Sequence, residues 1–249
     1  RRRTERHILQ RAMRARGRTR CRGRGNDPSQ MTAEPTATPP PPDDPAPTGA
    51  RAIPRIEDAY LDRAIREVHL LEERMDACPG CAAAGTYPVK ASGSPTADVM
   101  LIKWQSALAE RQEGVSFFGR SGDAVRRSVE RLGVDPSVLY GTLVMKCPHA
   151  DPAGEPGEEL EWLAEEIRVV RPRLIVVMGD NTRRAVDAMQ MPMAEPLPAQ
   201  PGVVAQWTPA IEALVTPDID DSLDEQDAKR QFWAAFRALG EWWAAEPPY

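Results

Sequence analysis

Histidine, cysteine and aromatic residues are all scarce in this sequence of 249 residues, which has three histidines, four cysteines and 6% aromatic residues. Four cysteines do not point to a disulfide framework in a chain of this length, and a cytosolic protein with a metal or redox site fits them better. No uninterrupted apolar run approaches the roughly 20 residues that a membrane span requires. The sequence therefore predicts a cytoplasmic protein with no membrane partner.

Charge is distributed very unevenly along the chain. Residues 1–30 contain 11 arginines and two acidic residues, whereas the rest of the chain has 21 basic and 35 acidic residues, a net charge of −14. The Arg-rich segment is either a basic arm that binds nucleic acid, or sequence upstream of a start at Met31 that is not part of the native protein. We favour the second interpretation, in which the native protein is acidic and its surface repels DNA phosphates.

The composition changes again near residue 55. Residues 31–54 are dominated by Pro, Ala, Thr and Asp and show no periodic apolar pattern, which predicts a disordered linker. Apolar periodicity begins at Ile56, and 41% of all residues are hydrophobic, enough for one sizeable core. We therefore expect a single domain over residues 55–249.

Predicted strands alternate with predicted helices along this domain. Strands are predicted over 98–104, 138–146 and 174–178 and within 203–215, and helices over 56–77, 123–132, 158–170, 181–189 and 223–244. Two of the strands are uninterrupted apolar runs, which is typical of strands that are buried on both faces. The sequence predicts an α/β protein, a three-layer α/β/α domain with a central, mainly parallel sheet.

Three cysteines and one histidine form a candidate metal site. Cys78 and Cys81 make a CxxC pair after the first predicted helix, and Cys147 follows in the segment VMKCPHADP, two residues before His149. A thioredoxin-like redox pair is disfavoured, because that motif follows a strand and this pair precedes the sheet. Three interpretations stay open: an iron–sulfur cluster with an incomplete ligand set, a zinc ion held with His149, or thiols packed in the core without a metal.

From Cys78 to about Leu239 the chain resembles the family 4 uracil-DNA glycosylases, which carry an iron–sulfur cluster. The segments FFGRSG, VLYGTLVMKC and PRLIVVMGDNTRRAV carry this resemblance. It implies a uracil-DNA-glycosylase-like fold, a base-stacking position at Phe117 and a loop at Gly119 and Arg120 that meets a phosphate. It also implies that the three cysteines match three of the four ligands of a [4Fe–4S] cluster, and the helix that should carry the fourth contains none.

The resemblance fails at the positions that carry the family's chemistry. Trp104 replaces the carboxylate that activates water, Leu143 replaces the asparagine that reads uracil, and Asp218 replaces the catalytic histidine. An indole accepts no proton, a leucine side chain makes no hydrogen bond, and a carboxylate cannot donate to an oxyanion. Lys103 also replaces a glycine that lets the backbone approach the base. We expect Trp104, with Leu143, to fill the space beside Phe117.

These substitutions predict a protein with no catalytic residues of the ancestral set. We expect a superfamily member that has lost uracil excision and acts as a non-catalytic binding or scaffold protein with a connection to DNA repair. One alternative is an active DNA glycosylase of altered specificity, which would hydrolyse a base–sugar bond with Glu110, Glu113 or Asp218. Another is a metal-stabilised domain that binds only a protein. The expected partners are DNA, contacted through the ancestral face, and a protein.

Overall fold

A six-stranded sheet forms the centre of the structure, a computed structural model that describes residues 56–151 and 154–245. The strands are β1 (Ser92–Gly93), β2 (Val99–Gln105), β3 (Leu139–Met145), β4 (Leu174–Met178), β5 (Val204–Thr208) and β6 (Ile211–Thr216). Their order is β1-β3-β2-β4-β6-β5, in which β2, β3, β4 and β6 are parallel and the edge strands β1 and β5 run antiparallel. The predicted α/β class with a mainly parallel sheet is confirmed.

Eight helices accompany this sheet in the described part of the chain. They are α1 (Ile56–Asp76), α2 (Pro79–Ala84), α3 (Leu108–Glu113), α4 (Arg120–Arg131), α5 (Glu159–Val170), α6 (Asp180–Ala188), α7 (Ile219–Asp224) and α8 (Gln226–Ala245), with a 3₁₀ turn at Pro136–Val138. Within residues 56–151 and 154–245, no helix is long and apolar enough to cross a membrane. The predictions for segments 1–30 and 31–54 lie outside the described residues.

Helices cover both faces of the sheet, which gives the predicted three layers. On one face, Leu163 and Ile167 of α5 and Val186 of α6 pack against alternate residues of the strands. On the other face, Val129 of α4 and Phe236 of α8 do the same. This explains why β2 and β4 are apolar at nearly every position: neither face of the sheet is left to solvent.

The structure differs from the predicted elements mainly where helices are short. The last helix, predicted over 223–244, is two helices, because Glu225 is extended (φ −112°, ψ 127°) and separates α7 from α8. The Asp218 carboxylate accepts a hydrogen bond from Asp220 N (2.8 Å) and so provides a separate cap for α7. Helices α2 and α3 have six residues each and no apolar period long enough to reveal them.

The carboxyl ends of the parallel strands lie at one edge of the sheet, and this arrangement builds the site. The last residues of β2 reach this edge, and α6 and α7 begin there after β4 and β6. The backbone of Gly179, which precedes α6, approaches Asp218 so closely that a Cβ atom at position 179 would lie 3.1 Å from the Asp218 Oδ2 atom. Residues more than 100 positions apart in sequence therefore become neighbours at this edge.

Candidate functional site

A buried lysine lies at the carboxyl ends of the parallel strands, beside the Phe117 ring. Lys103, near the end of β2, has no exposed side-chain surface, and its Nζ atom lies 2.7 Å from Glu110 Oε2 and 2.7 Å from Asp220 Oδ2. The Glu110 side chain is also fully buried, whereas that of Asp220 is one third exposed. A buried ammonium is tolerated only when it is paired and hydrogen-bonded. These two carboxylates therefore fix Lys103 in place and tie β2 to α3 and α7.

Both oxygens of the Glu110 carboxylate are already used. In addition to Lys103, Oε2 accepts a hydrogen bond from Ala107 N (2.6 Å), and Oε1 accepts one from Phe117 N. The Ser121 hydroxyl lies 3.5 Å from Oε1. Glu110 thus organises the whole loop between β2 and α4, and no oxygen is left to take a proton from an attacking water.

Phe117 is held between a strand and the Lys103 ammonium. Its backbone is left-handed (φ 56°), a conformation that costs a non-glycine residue of order 1 kcal/mol, and the Glu110 hydrogen bond to its N–H stabilises it. The ring packs on β3 so tightly that a Cβ atom at Gly141 would lie 2.5 Å from its Cδ2 atom. The Lys103 Nζ atom lies 5.5 Å from the ring centroid, within reach of a cation–π contact.

Trp104 does not fill the space beside Phe117, and this part of our expectation is wrong. Consecutive residues of a strand point to opposite faces, so Lys103 and Trp104 cannot share one. Trp104 is partly buried in the hydrophobic cluster of α5 and α6, whereas Phe117 packs with the cluster of α4 and α8. Leu143 is fully buried and is the register partner of Lys103 across β2 and β3, so it lies on the Lys103 side of the sheet.

The Asp218 carboxyl is partly buried at the same edge. It caps α7, and burial raises its pKa to about 6, with Asp220 and Asp221 adding to the rise and Lys103 opposing it. Its position at the end of β6 is the one expected from the sequence. A carboxyl with this pKa is mostly ionised at neutral pH, so it accepts hydrogen bonds there and does not donate them.

The loop to which the resemblance assigns a phosphate contact precedes α4, and its arginine is paired with an acidic residue. Gly119 precedes the helix with φ 83°, a conformation that glycine adopts without strain. The exposed Arg120 guanidinium pairs with Asp224 (2.6 Å) and contacts the Leu223 carbonyl (3.4 Å). Glu113, a carboxylate considered for altered chemistry, is exposed at the end of α3. The structure therefore brings neither Arg120 nor Glu113 to Phe117.

The three cysteines converge, as the sequence predicts. Their sulfur atoms all lie within 4.8 Å of one another, and Cys78 Sγ is 3.8 Å from Cys147 Sγ. Cys81 and Cys147 are buried beside Leu71, Met75 and Trp162. This group of side chains can hold a metal ion.

The surroundings affect the three thiols differently. Burial, followed by contact with Cys81, raises the pKa of Cys147 far above its ordinary value, and burial also raises the pKa of Cys81. Burial opposes ionisation of Cys78 as well, but backbone N–H groups of Cys81 and Gly80 and the Cys147 thiol outweigh it and lower the pKa of Cys78. The exposed His149 ring lies at the edge of the group, with Nδ1 3.4 Å from Cys81 Sγ.

Comparison with known proteins identifies the superfamily of most of this domain. The sequence model of the uracil DNA glycosylase superfamily matches residues 91–237, more than half of the chain. The chain belongs to the uracil DNA glycosylase superfamily. It is also 26% identical, over 137 residues, to the Type-4 uracil-DNA glycosylase of Pyrobaculum aerophilum, an alignment that covers 53% of this chain and 69% of that protein. The superfamily assignment covers every element from the segment before β1 to most of α8.

Two residues of the pocket could not be assigned from the sequence. Asp220 is 117 positions from Lys103, and nothing in the surrounding TPDIDDSL segment distinguishes it from the adjacent acidic residues. An acidic partner for Lys103 could have been predicted. A lysine that follows four apolar residues of a buried strand must be paired with an acidic residue. The apolar run before Lys103 does not indicate which acidic residues these partners are.

Proposed function

We propose that this protein is a non-catalytic member of the uracil DNA glycosylase superfamily that acts as a binding or scaffold protein with a connection to DNA repair. The observation that carries the proposal is the fully buried Lys103–Glu110 ion pair, which lies over the Phe117 ring. By resemblance, this ring is the surface on which an excised base stacks. The Lys103 ammonium lies 5.5 Å from the centroid of this ring, so a base that approached the ring on that side would have to displace a buried ammonium from two carboxylates, which is costly.

The groups around the pocket support the same conclusion. Excision of a base needs a carboxylate that positions or activates water and a donor that stabilises the departing base. Glu110 is buried with both oxygens bonded, Leu143 is apolar, and Asp218 accepts a hydrogen bond from the α7 backbone. None of these side chains can read a uracil edge in its present contacts.

We expect no uracil excision from single-stranded or duplex DNA above the rate in buffer. Loss of a general base and loss of an electrostatic donor each reduce a rate by about 10²–10⁴-fold, and here both are absent. The measurement is abasic-site formation at stoichiometric protein, with the Pyrobaculum aerophilum enzyme as the positive control. The Trp104→Glu variant should also stay inactive, because its carboxylate would project from the sheet face opposite Phe117. Excision well above background by the unmodified chain would contradict the proposal.

The altered-specificity alternative depends on Asp218. Its pKa of about 6 and its place at the strand ends are those of a carboxyl that could act as a base at neutral pH. An enzyme that used it would become more active as the pH rises through about 6, and the Asp218→Asn variant would lose that activity. An assay on DNA carrying several damaged bases, over that pH range, distinguishes this alternative from a non-catalytic protein.

A basic groove on the surface supports a binding role. It lies between α4, α7 and α8, encloses about 600 Å³, and has an apolar floor that includes Ala124, Ile219 and Leu223. Its cationic residues are Arg120, Arg127, Arg131, Lys229 and Arg230, and Asp123 is the acidic residue among those that line it. Arg120 and Arg230 are paired with Asp224 and Asp227, so the positive charge of the groove rests mainly on Arg127, Arg131 and Lys229. This charge is opposite to the net −14 of residues 31–249. This contrast favours an acidic partner.

The aromatic residues of the groove favour an acidic protein segment over a DNA strand. Phe232 is buried and stacks on Phe236, with ring centroids 5.0 Å apart. Trp233 is covered by the Arg131 guanidinium, 4.6 Å from its ring centroid. Single-stranded DNA gains affinity by stacking bases on open aromatic faces, and these two rings are already occupied. An apolar floor with cationic rims is suited to an amphipathic acidic segment.

We expect the Arg127→Glu/Arg131→Glu variant to bind an amphipathic Glu/Leu peptide at least about tenfold more weakly than the unmodified chain. The measurement is fluorescence anisotropy of the labelled peptide, with labelled oligothymidylate as the second probe. The matched control reverses two exposed arginines elsewhere, as Arg66→Glu/Arg168→Glu, and should leave the affinity unchanged. If the oligothymidylate binds and the peptide does not, DNA replaces a protein as the proposed partner. Equal weakening by both variants would show that net charge, and not the groove, determines binding.

A further inference from the structure

We infer that Cys78, Cys81, Cys147 and His149 bind one tetrahedral zinc ion rather than an iron–sulfur cluster. The first support is the spacing of the sulfur atoms. Two thiolates bound tetrahedrally to one zinc at about 2.3 Å have sulfurs about 3.8 Å apart. The Cys78–Cys147 separation is 3.8 Å, and all three sulfurs lie within 4.8 Å of one another. One pair of sulfurs thus already has the separation of a zinc site, and the widest pair has to close by about 1 Å to share the ion.

His149 supplies the fourth ligand. Its Nδ1 atom faces Cys81 Sγ at 3.4 Å, close to the distance of about 3.6 Å between a nitrogen and a sulfur bound to the same zinc ion. The ring also passes so near Gly80 that a Cβ atom there would lie 2.5 Å from Nε2, so the glycine of the CxxC pair makes room for it. The Nδ1 atom contacts Cys81 Sγ in the structure, and a bound zinc ion would draw it toward Cys78 and Cys147 as well. Three thiolates and one imidazole form a closed structural zinc set.

A [4Fe–4S] cluster does not fit the same residues. Such a cluster binds four cysteines, each on a different iron, so its sulfurs stand farther apart than those on one ion. Within residues 56–151 and 154–245 there are three cysteines. The helix after Cys147 contributes Trp162 to the cysteine cluster and contains no cysteine. We therefore derive no role for an iron–sulfur cluster in this chain.

The zinc ion would join segments that are far apart in sequence, since Cys78 and Cys147 are 69 positions apart. Cys78 and Cys81 belong to the segment at the end of α1 and in α2, whereas Cys147 and His149 follow β3. The cluster that surrounds the cysteines is small, with Leu71, Met75 and Trp162 as its other buried members. A metal bound across it stabilises the folded state by its binding free energy, because the unfolded chain has no preformed site. The function of this site is structural.

The test is metal analysis of the full chain, purified without added metal and then titrated with zinc or cobalt(II). We expect about one zinc per chain, no labile sulfide, and a cobalt(II) spectrum with thiolate charge-transfer bands and tetrahedral d–d bands. The His149→Ala variant should bind zinc more weakly by more than the 10–100-fold that loss of an outer-shell partner costs. His69→Ala, which removes an exposed histidine of α1, is the matched control and should leave the zinc affinity unchanged.

A second variant keeps the result decisive if His149→Ala is hard to purify. His149→Cys should retain tight zinc binding and shift the cobalt(II) charge-transfer bands to those of four thiolates. Iron with labile sulfide and a broad visible chromophore in the purified chain would overturn the proposal in favour of a cluster. No measurable zinc affinity, or an unchanged affinity in His149→Ala, would overturn it as well. None of these readouts depends on glycosylase activity, so the test is independent of the proposed function.

Discussion

Replacing Lys103 by methionine is expected to lower the free energy of unfolding by about 3–5 kcal/mol, the cost of removing one partner from a buried ion pair. The Glu110 side chain would remain fully buried, and it would keep only the hydrogen bonds from the backbone of Ala107 and Phe117 and the weak one from Ser121. Asp220 is one third exposed and can turn to water, so it adds little to the loss. Denaturant unfolding of the purified variant measures the change.

The matched control replaces a lysine in an ion pair that solvent reaches. Lys90 pairs with Asp76 at 2.8 Å, and their side chains are 31% and 42% exposed. Lys90→Met should therefore cost about 1 kcal/mol or less. The double variant Lys103→Met/Glu110→Gln should be more stable than Lys103→Met, because it no longer buries an unpaired charge. A Lys103→Met variant that is no less stable than Lys90→Met would show that water reaches this pocket, and the proposed loss of the base site would lose its main support.

The fold could be predicted from the sequence because its strands are short, apolar and bounded by turn-forming residues. Strand β4 is the clearest example: Arg171-Pro172 precede it, five apolar residues form it, and Gly179 follows, so its predicted and observed bounds agree. The convergence of Cys78, Cys81 and Cys147 was likewise predictable, since a CxxC pair and a distant third cysteine have a common use in metal binding. Both signals can be recognised from residue types and their spacing alone.

The content of the pocket could not be predicted, because β2 gives no indication of which face each residue occupies. Val99 to Ile102 are all buried, so the strand lacks the apolar–polar alternation that would assign Lys103 and Trp104 to opposite layers. Trp104 was expected beside Phe117 because its side chain is larger and more apolar than that of Lys103. Because consecutive strand residues point to opposite faces, Lys103 and not Trp104 lies on the Phe117 side of the sheet. Two acidic side chains neutralise the lysine there. The replacement of the family's carboxylate by Trp104 stays a prediction, whereas the expected position of the Trp104 ring beside Phe117 is wrong.

The other large expected effect concerns Gly122 in the FFGRSG segment. A Cβ atom at this position would lie 1.7 Å from the Phe117 carbonyl oxygen and 2.8 Å from its carbonyl carbon. Both are backbone atoms, so no side-chain rotation can relieve the contact. To accommodate an alanine, Phe117 would have to move out of its left-handed conformation and away from the Glu110 carboxylate. The motif glycine is therefore required by the close approach of two backbone segments.

We expect Gly122→Ala to lower the free energy of unfolding by about 3 kcal/mol or more, the upper end of the cost of overpacking, with the loss of the Phe117–Glu110 hydrogen bond added. Gly157→Ala is the matched control, because the nearest atom to a Cβ there is Glu159 Oε2 at 3.7 Å, an ordinary contact. Both substitutions remove the same backbone freedom from the unfolded chain, so their difference isolates the clash. If the two variants unfold at the same denaturant concentration, Phe117 is not anchored over α4. The close approach of Phe117 to Gly122 would then be disproved, together with the placement of Lys103 over the Phe117 ring.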